Sequence, residues 1–403
     1  MDTGDTAWIL ASSALVLLMT PGLAFFYGGL VRGRNVISTI MFSFIAMAVA
    51  SLVWVSWGYS LAFGEGNAFI GDLSAVGLAG IGIDDLSGDI PTLLFVIFQM
   101  MFAIITPALI TGAIVERFKF TTYLVFLVLW LTFIYSPIAH WVWAPNGWLF
   151  TRGALDYAGG TVVHINAGVA AVAAAMLLGK RRDPGLEPHN VPYVVLGASL
   201  LWFGWFGFNA GSALNADGRA VSAFLVTNTA AAAAALTWGL LSQFQNRRMS
   251  AVGVATGAVA GLVAITPAAG YVGAMSAIAI GIGAGLFGYF AVYLRPKTGL
   301  DDSLDVFAVH GVCGIWGSIA TGIFAAAAIG GTAGLLEGNA AQVVTQVIGV
   351  LATLAYSGIG TLIILKILDV IPGLGLRAPE SAEAQGMDIT AHGERAYVQD
   401  GAD

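Results

Sequence analysis

Long apolar segments alternate with short polar or glycine-rich connections along the whole 403-residue chain. About 20 apolar residues in a helix cross the ~30 Å hydrocarbon core of a membrane. Apolar segments close to or above that length occupy residues 7–30, 36–63, 91–115, 120–143, 158–179, 193–214, 220–244, 251–269, 272–294, 305–329 and 340–368. This pattern predicts an all-α membrane protein with eleven transmembrane helices in residues 1–369 and a polar tail in 370–403.

The composition supports this class and excludes several others. Hydrophobic residues make up 58% of the chain and charged residues only 10%, whereas soluble domains carry about 25% charged residues. No strongly basic region for nucleic acid is present, and neither is a catalytic triad, a phosphate-binding loop or a metal-spaced His/Cys set. We therefore expect a membrane protein that is not an enzyme, binds no metal or other cofactor, and has no nucleic-acid partner.

The basic residues in the connections predict the orientation. Alternate connections carry eleven of them, namely Arg32, Arg34, Arg117, Lys119, Lys180, Arg181, Arg182, Arg247, Arg248, Arg295 and Lys297. The opposite connections carry only Arg152 and Arg219. Because cytoplasmic loops are enriched in Lys and Arg, the N-terminus is expected outside and the C-terminus inside the cell.

The first ten segments fall into two similar halves. Segments one and six contain aromatic and glycine-rich clusters, GLAFFYGG and GWFGFNAGS, and segments five and ten contain VVHINAG and FAVHGVCG. An acidic residue precedes each histidine, Asp156 in the first half and Asp305 in the second. Since five is odd, the halves enter the membrane from opposite sides, which predicts an inverted repeat of spans 1–5 and 6–10 with a substrate site between them.

The two histidines at matching repeat positions, His164 and His310, are the strongest functional signal. An ionisable group inside a membrane span is a functional candidate by default. A structural histidine bonded to a backbone carbonyl is the alternative for either residue alone, but it explains the matching pair poorly. Counted along straight helices, the two rings lie near opposite membrane faces. They can meet only if both helices begin below the surface, at the floors of funnels.

Three segments carry a resemblance to a known family. DYAGGTVVHINAGVAAVAAAMLLGKR, GWFGFNAGSA and DVFAVHGVCGIWGS resemble the hallmark sequences of ammonium transporters (Amt/Mep/Rh). The resemblance extends over essentially the whole chain. It implies eleven helices with an outside N-terminus, a homotrimer with one pathway in each subunit, and transport of ammonium or ammonia, with methylammonium as an analogue.

The resemblance also implies an outer cation site. Trp143, Phe102 and Ser212 would bind the ion, Asp156 would shape the vestibule in front of it, and Gln99 would line its neighbourhood. Aromatic faces attract cations, with tryptophan the best of them, and a serine oxygen can accept a hydrogen bond from ammonium.

The pathway beyond that site is assigned in the same way. Phe102 and Phe208 would form a stacked phenyl gate, and His164 and His310 would be paired imidazoles in the pore. The tryptophan of the outer site points to the Amt/Mep branch rather than the Rh branch. Because the loop after it is one residue longer than usual, Trp141 is the alternative to Trp143.

These residue types suit a substrate that loses a proton before it crosses. Placing an ammonium-sized charge in a low-dielectric interior costs of order 20 kcal/mol, whereas deprotonating an amine with a lysine-like pKa at pH 7 costs about 4–5 kcal/mol. A neutral imidazole tolerates burial and can exchange hydrogen bonds with ammonia. Potassium has no proton to lose and would be rejected.

The tail resembles that of regulated family members over residues 375–397, GLRAPESAEAQGMDITAHGERAY. This resemblance implies docking of a PII-class nitrogen-signalling protein at the cytoplasmic exits. From its composition, the tail is expected to bury little and to be flexible alone, so a solvated end without a role is the alternative.

Two other functions remain open at this stage. One is an ammonium sensor whose pore binds the ion without conducting it, although no kinase or cyclase domain is fused to this sequence. The other is a gas or water channel, whose flux should be independent of Trp143 and of the ammonium gradient.

Overall fold

The computed structural model describes residues 1–185 and 187–397, so Leu186 and residues 398–403 of the predicted tail lie outside the described part. A helix lies at each of the eleven predicted segments. The helices are α1 (Thr3–Leu30), α2 (Gly33–Phe63), α3 (Thr92–Ala113), α4 (120–143), α5 (Gly160–Leu178), α6 (Val191–Ala213), α7 (Gly218–Asn246), α8 (Ala251–Ile265), α9 (Ala274–Thr298), α10 (Phe307–Phe324) and α11 (Ala340–Val370). Ten helices among the described residues are long and apolar enough to cross a membrane, which establishes a multi-pass membrane protein.

The smaller elements lie in the connections. An antiparallel hairpin of β1 (Leu86–Ser87) and β2 (Ile90–Pro91) precedes α3. Short helices occupy Trp148–Thr151, Ala327–Gly330 and Glu380–Gln385.

Helix α8 is shorter than the apolar segment that predicts it. It contains 15 residues and ends at Ile265, whereas the apolar segment continues to residue 269. Pro267 has no N–H to continue the helical hydrogen bonds, and the chain turns through residues 266–272 instead. At 1.5 Å per residue such a helix is only about 22 Å long, so the count of eleven membrane spans stays a prediction.

Helices at equivalent positions of the two halves pack together. α1 and α6 run antiparallel along each other, and glycines keep their backbones close: a Cβ on Gly22 would lie 2.9 Å from Leu200 Cβ, and one on Gly29 would lie 2.6 Å from the Asn190 carbonyl oxygen. Small residues at such contacts let helix backbones approach closely. This pairing is what an inverted repeat predicts.

α5 and α10 cross in the same antiparallel manner, close to their first turns. A Cβ on Gly168 would lie 2.5 Å from the Gly311 amide nitrogen, and one on Gly314 would lie 3.2 Å from His164 Cβ. Both helices begin with a π-helical turn, Gly160–Ile165 and Phe307–Val312. Each histidine therefore lies in the first turns of its helix, and the crossing of the two helices brings the rings together. That both helices begin below the membrane surface stays a prediction.

The tail packs on the body, contrary to the expectation that it would bury little. Leu376 and Met387 are each only 3% exposed. Residues 376–378 pair with the start of α4, where the Lys119 N–H donates to the Leu376 carbonyl at 2.9 Å. Further on, the Asp388 carboxylate accepts from the Ser38 N–H at 2.8 Å. The first N–H groups of a helix have no partner within it, so those of α2 are free to donate hydrogen bonds to the Asp388 carboxylate of the tail. The division into units 1–369 and 370–403 itself stays a prediction.

Candidate functional site

Two cavities open toward opposite ends of α6 and are separated by a narrow gap. The first, called here the tryptophan vestibule, measures about 240 Å³ and is lined by Trp143 and Ser212, near the end of α6. The second, the arginine vestibule, measures about 390 Å³ and is lined by Arg181 and by Val191, at the start of α6. The gap between them measures about 10 Å³, roughly the smallest volume that holds one water molecule.

The walls of the gap are almost wholly apolar. They comprise Met19, Leu23, Ile105, Leu109, Val163, His164, Leu201, Trp205, Phe208, Val259 and His310. Apart from the two imidazoles, the Trp205 indole is the only side chain among them with a polar atom, and its N–H is bonded to the Thr266 hydroxyl at 2.9 Å. The two histidines therefore carry the free hydrogen-bonding capacity of this gap.

All five residues predicted for the outer site line the tryptophan vestibule: Gln99, Phe102, Trp143, Asp156 and Ser212. The Trp143 and Phe102 rings meet edge to face with centroids 5.6 Å apart. The Ser212 hydroxyl donates to the Phe208 carbonyl at 2.8 Å, so its oxygen remains available as an acceptor.

The geometry also decides between the two candidate tryptophans. The Trp141 indole N–H donates to the Phe69 carbonyl at 2.7 Å, and its ring packs on Tyr356 at 4.6 Å. It does not line either vestibule. Trp143 is therefore the tryptophan of this cavity.

Phe102 lines the tryptophan vestibule, Phe208 lines the gap, and their two rings are in contact. Their centroids are 4.4 Å apart, and both rings are buried. The planes are tilted by 43° rather than parallel, because Phe208 also contacts the His164 and Trp205 rings at 6.0 and 5.4 Å. The predicted pair is thus brought together, in a tilted contact.

His164 and His310 lie on the far side of the phenyl pair. Their rings are nearly parallel, at 18°, with the two Nδ1 atoms 3.2 Å apart. One Nδ1 must donate this hydrogen bond and the other accept it, so in a neutral pair one Nε2 carries a hydrogen and the other does not. His164 Nε2 is buried and has no partner among the described residues. Such a pair offers one donor and one acceptor to a small polar molecule in the gap.

Asp156 lines the vestibule, but its carboxylate is directed at the first turn of α5. Its oxygens accept from the backbone N–H groups of Gly159 at 2.9 Å, Thr161 at 2.8 Å and Val162 at 3.3 Å, and also from Gly160 and the Thr161 hydroxyl. Burial raises the pKa of Asp156, and these hydrogen bonds oppose that shift. Its contacts make it a cap for the helix that carries His164.

The counterpart of Asp156 in the second half is Asp302, and the pairing with Asp305 was wrong. The Asp302 carboxylate accepts from the N–H groups of Val306 at 3.1 Å and Phe307 at 2.7 Å, at the start of α10. Burial raises its pKa as well, against these hydrogen bonds. Asp305 instead forms an ion pair with Arg295.

A signal for Asp302 was present in the sequence. It precedes His310 by eight residues, and Asp156 precedes His164 by the same number. Asp305 is closer to His310 in the sequence, but a capping side chain must lie just outside the first helical turn, where Asp302 lies.

Comparison with known proteins identifies a family and several relatives of this chain. Residues 7–397 match the Ammonium Transporter Family. An ammonium transporter of Bacillus subtilis is 49% identical over 98% of this chain and 99% of its own length. The crystal structure of Saccharomyces cerevisiae Mep2 superposes with a TM-score of 0.91 at 40% identity, over 100% of this chain and 93% of that one. A solved structure named Sensor Amt Protein has a TM-score of 0.88 at 31% identity, covering 96% and 98% of the two chains.

The predicted family and its Amt/Mep branch are therefore confirmed, and so is a transporter rather than an enzyme. No cluster of His, Cys, Asp or Glu suited to a metal ion occurs in the described ranges 1–185 and 187–397. The chain is a multi-pass membrane protein that belongs to the ammonium transporter family.

Proposed function

We propose that this protein transports ammonium by capturing NH4+ in the tryptophan vestibule and passing NH3 through the gap. Trp143 and Phe102 offer aromatic faces to the ion, Ser212 offers a hydroxyl oxygen, and Gln99 lines the same cavity. Before the Phe102–Phe208 contact the ion gives up one proton, either to water in the vestibule or to the His164–His310 pair. NH3 then crosses, and it regains a proton in the arginine vestibule.

The observation that carries this proposal is the gap of about 10 Å³ with imidazoles as its free polar groups. It is too small for a hydrated ion, and a bare ion would lose its hydration with little in return. An NH3 molecule can accept a hydrogen bond from one imidazole Nε2 and donate one to the other. Whether the proton follows through the His164–His310 pair decides whether transport carries current.

A series of cations of increasing methylation tests this mechanism. Ammonium and methylammonium can lose a proton, whereas tetramethylammonium and potassium cannot. We expect flux of the first two into proteoliposomes, measured as current and as internal pH change, and at least about 100-fold less of the last two. That factor corresponds to less than 3 kcal/mol, well below the charge-burial penalty. Comparable tetramethylammonium flux, absent from protein-free vesicles, would refute the mechanism.

A second candidate function is sensing. The likeness to the structure named Sensor Amt Protein supports it. In a sensor the vestibule would bind ammonium without onward transport. Binding in the absence of both current and NH3 flux would favour sensing over transport.

We further propose the topology and assembly that the resemblance implies: eleven spans, an outside N-terminus, a cytoplasmic C-terminus and a homotrimer. The asymmetry of basic residues between connections supports this orientation. The apolar side chains exposed along α7, including Val221 and Leu225, are available to lipid or to neighbouring copies. In this orientation the tryptophan vestibule faces outward.

We also propose that the tail docks a PII-class signal protein at the cytoplasmic exit. Supporting this, Glu383 of the tail lines a cleft together with Arg181, which also lines the arginine vestibule. Arg377 donates to the Leu178 carbonyl at the end of α5 and pairs with the buried Glu383 at 2.6 Å. Between these anchors, Glu380 is exposed and available to a partner. The tail thus presents an ordered surface at the mouth of the pathway.

Deleting the residues after Arg377 tests the docking. We expect the shortened protein to lose PII binding, measured by co-purification or biolayer interferometry, because the exposed tail surface is gone. Retained ammonium flux in the same preparation shows that the membrane body is intact. PII binding at wild-type strength would contradict the docking proposal.

A further inference from the structure

A fixed positive charge lies in the wall of the tryptophan vestibule, in a cavity proposed to bind cations. Arg219 lines this cavity together with Trp143 and Phe102. It lies at the start of α7, where Asp217 caps the helix by accepting from the Arg219 and Ala220 N–H groups at 2.9 and 3.0 Å. A cation at a helix N-terminus is disfavoured by the helix dipole. Local helix stability therefore gives no reason for an arginine at this position.

The Arg219 guanidinium lies against two tyrosine rings that also contact each other. Its central carbon is 5.1 Å from the centroids of both Tyr157 and Tyr271, and its Nε donates to the Gly270 carbonyl at 3.1 Å. Both tyrosines line the vestibule. A cation within about 6 Å of a ring is attracted to its face, so the guanidinium occupies positions that another cation could otherwise take.

No carboxylate neutralises this charge by direct contact within the described residues. None of the ion pairs in residues 1–185 and 187–397 includes Arg219. The acids near it are otherwise engaged: Asp156 caps α5 and Asp217 caps α7. The charge of Arg219 therefore acts on the vestibule.

We propose that Arg219 limits cation retention in the tryptophan vestibule and confines cation binding there to one site. It covers the Tyr157 and Tyr271 faces, leaves the Trp143–Phe102 site as the place where one cation binds, and repels a second cation. Because this repulsion acts on every cation alike, potassium, which can bind aromatic faces but cannot lose a proton, is also held only weakly in the vestibule. This inference rests on the proposed capture of ammonium there.

Calorimetric binding of ammonium and methylammonium to the purified protein, with and without potassium, tests the inference. For Arg219→Gln we expect the dissociation constant to fall about three- to tenfold, since a like charge that lines the same cavity is removed. The potassium affinity obtained from the competition experiment should rise by a similar factor. Arg219→Met removes the same charge and provides a second neutral variant. Arg219→Lys keeps the charge and should bind as the wild type does.

Arg152→Gln is the matched control, because Arg152 is the other base predicted on this side and is exposed outside the vestibule. It should leave binding unchanged. Equal affinity and potassium competition in wild-type, Gln and Met proteins would overturn the inference, and so would equal shifts in the Gln and Lys variants. Flux in vesicles is a separate readout. If the wild-type protein binds ammonium but does not transport it, the proposed transport is refuted. The role of Arg219 is then still decided by the binding measurements.

Discussion

Replacing His164 or His310 by leucine is expected to slow NH3 passage by about 10- to 100-fold. Each substitution removes the 3.2 Å Nδ1–Nδ1 hydrogen bond and one of the two imidazole groups free to bond in the gap. Ammonia would then cross part of the gap without a hydrogen-bond partner, and an unsatisfied polar group costs about 1–3 kcal/mol. Stopped-flow measurement of pH change inside proteoliposomes gives the rate, and the potassium current in the same vesicles gives the selectivity.

His189→Leu is the control for this experiment. His189 is partly exposed, bonds the Val31 carbonyl at 2.8 Å and does not line the gap. Its replacement should leave rate and selectivity unchanged. Wild-type rate and wild-type exclusion of potassium in both pore variants would remove the histidines from the mechanism.

The second large effect is expected at the two buried helix caps. Asp156→Ala removes the acceptor for the first N–H groups of α5, and Asp302→Ala does the same for α10. Loss of a cap and burial of unpaired N–H groups should lower stability by about 1–3 kcal/mol for each variant. Because each capped turn carries a pore histidine, transport should fall at least about 100-fold, since small misplacements of reacting groups have effects of this order.

Asp305→Ala tests whether Asp302 or Asp305 is the equivalent of Asp156 in the second half. Asp305 pairs with Arg295 and caps no helix through its side chain, so its replacement should reduce transport less than Asp302→Ala does. The melting temperature and the ammonium flux of all three variants provide the comparison. Full activity of Asp302→Ala, or a larger loss for Asp305→Ala, would contradict the equivalence of Asp156 and Asp302.

Hydropathy predicted the helix positions well because every span must be apolar and long enough to cross the hydrocarbon core of the membrane. A helix lies at each predicted segment, and α2 even ends at the predicted residue, Phe63. The exception in length is α8, where Pro267 ends the helix inside an apolar run. A hydropathy scale does not take account of the missing N–H of proline. The residues after α8 do not continue the helix, and one of them contributes to the vestibule: the Gly270 carbonyl accepts a hydrogen bond from Arg219.

The candidate site was predictable where residue type alone implies a role. Two histidines at matching positions in apolar segments indicated where the proposed pore lies, and the resemblance supplied the aromatic residues around it. The choice between Trp141 and Trp143 depended on which ring reaches Phe102, and the choice between Asp302 and Asp305 depended on which carboxylate reaches the free N–H groups of α10.

The sequence by itself determined that this chain lies in a membrane, where its helices form, which family it resembles and which two histidines are candidates for the pathway. Its apolar runs and hallmark segments consist of residues that follow one another in the sequence, so the sequence alone reveals them. Only the tertiary structure decided that the rings of His164 and His310, 146 residues apart, share a hydrogen bond. It also showed that the tail packs on α2 and α4 and that Arg219 reaches the vestibule. These features come from contacts between segments that are far apart in the sequence. Such contacts form only when the chain has folded and its helices pack closely at the glycines.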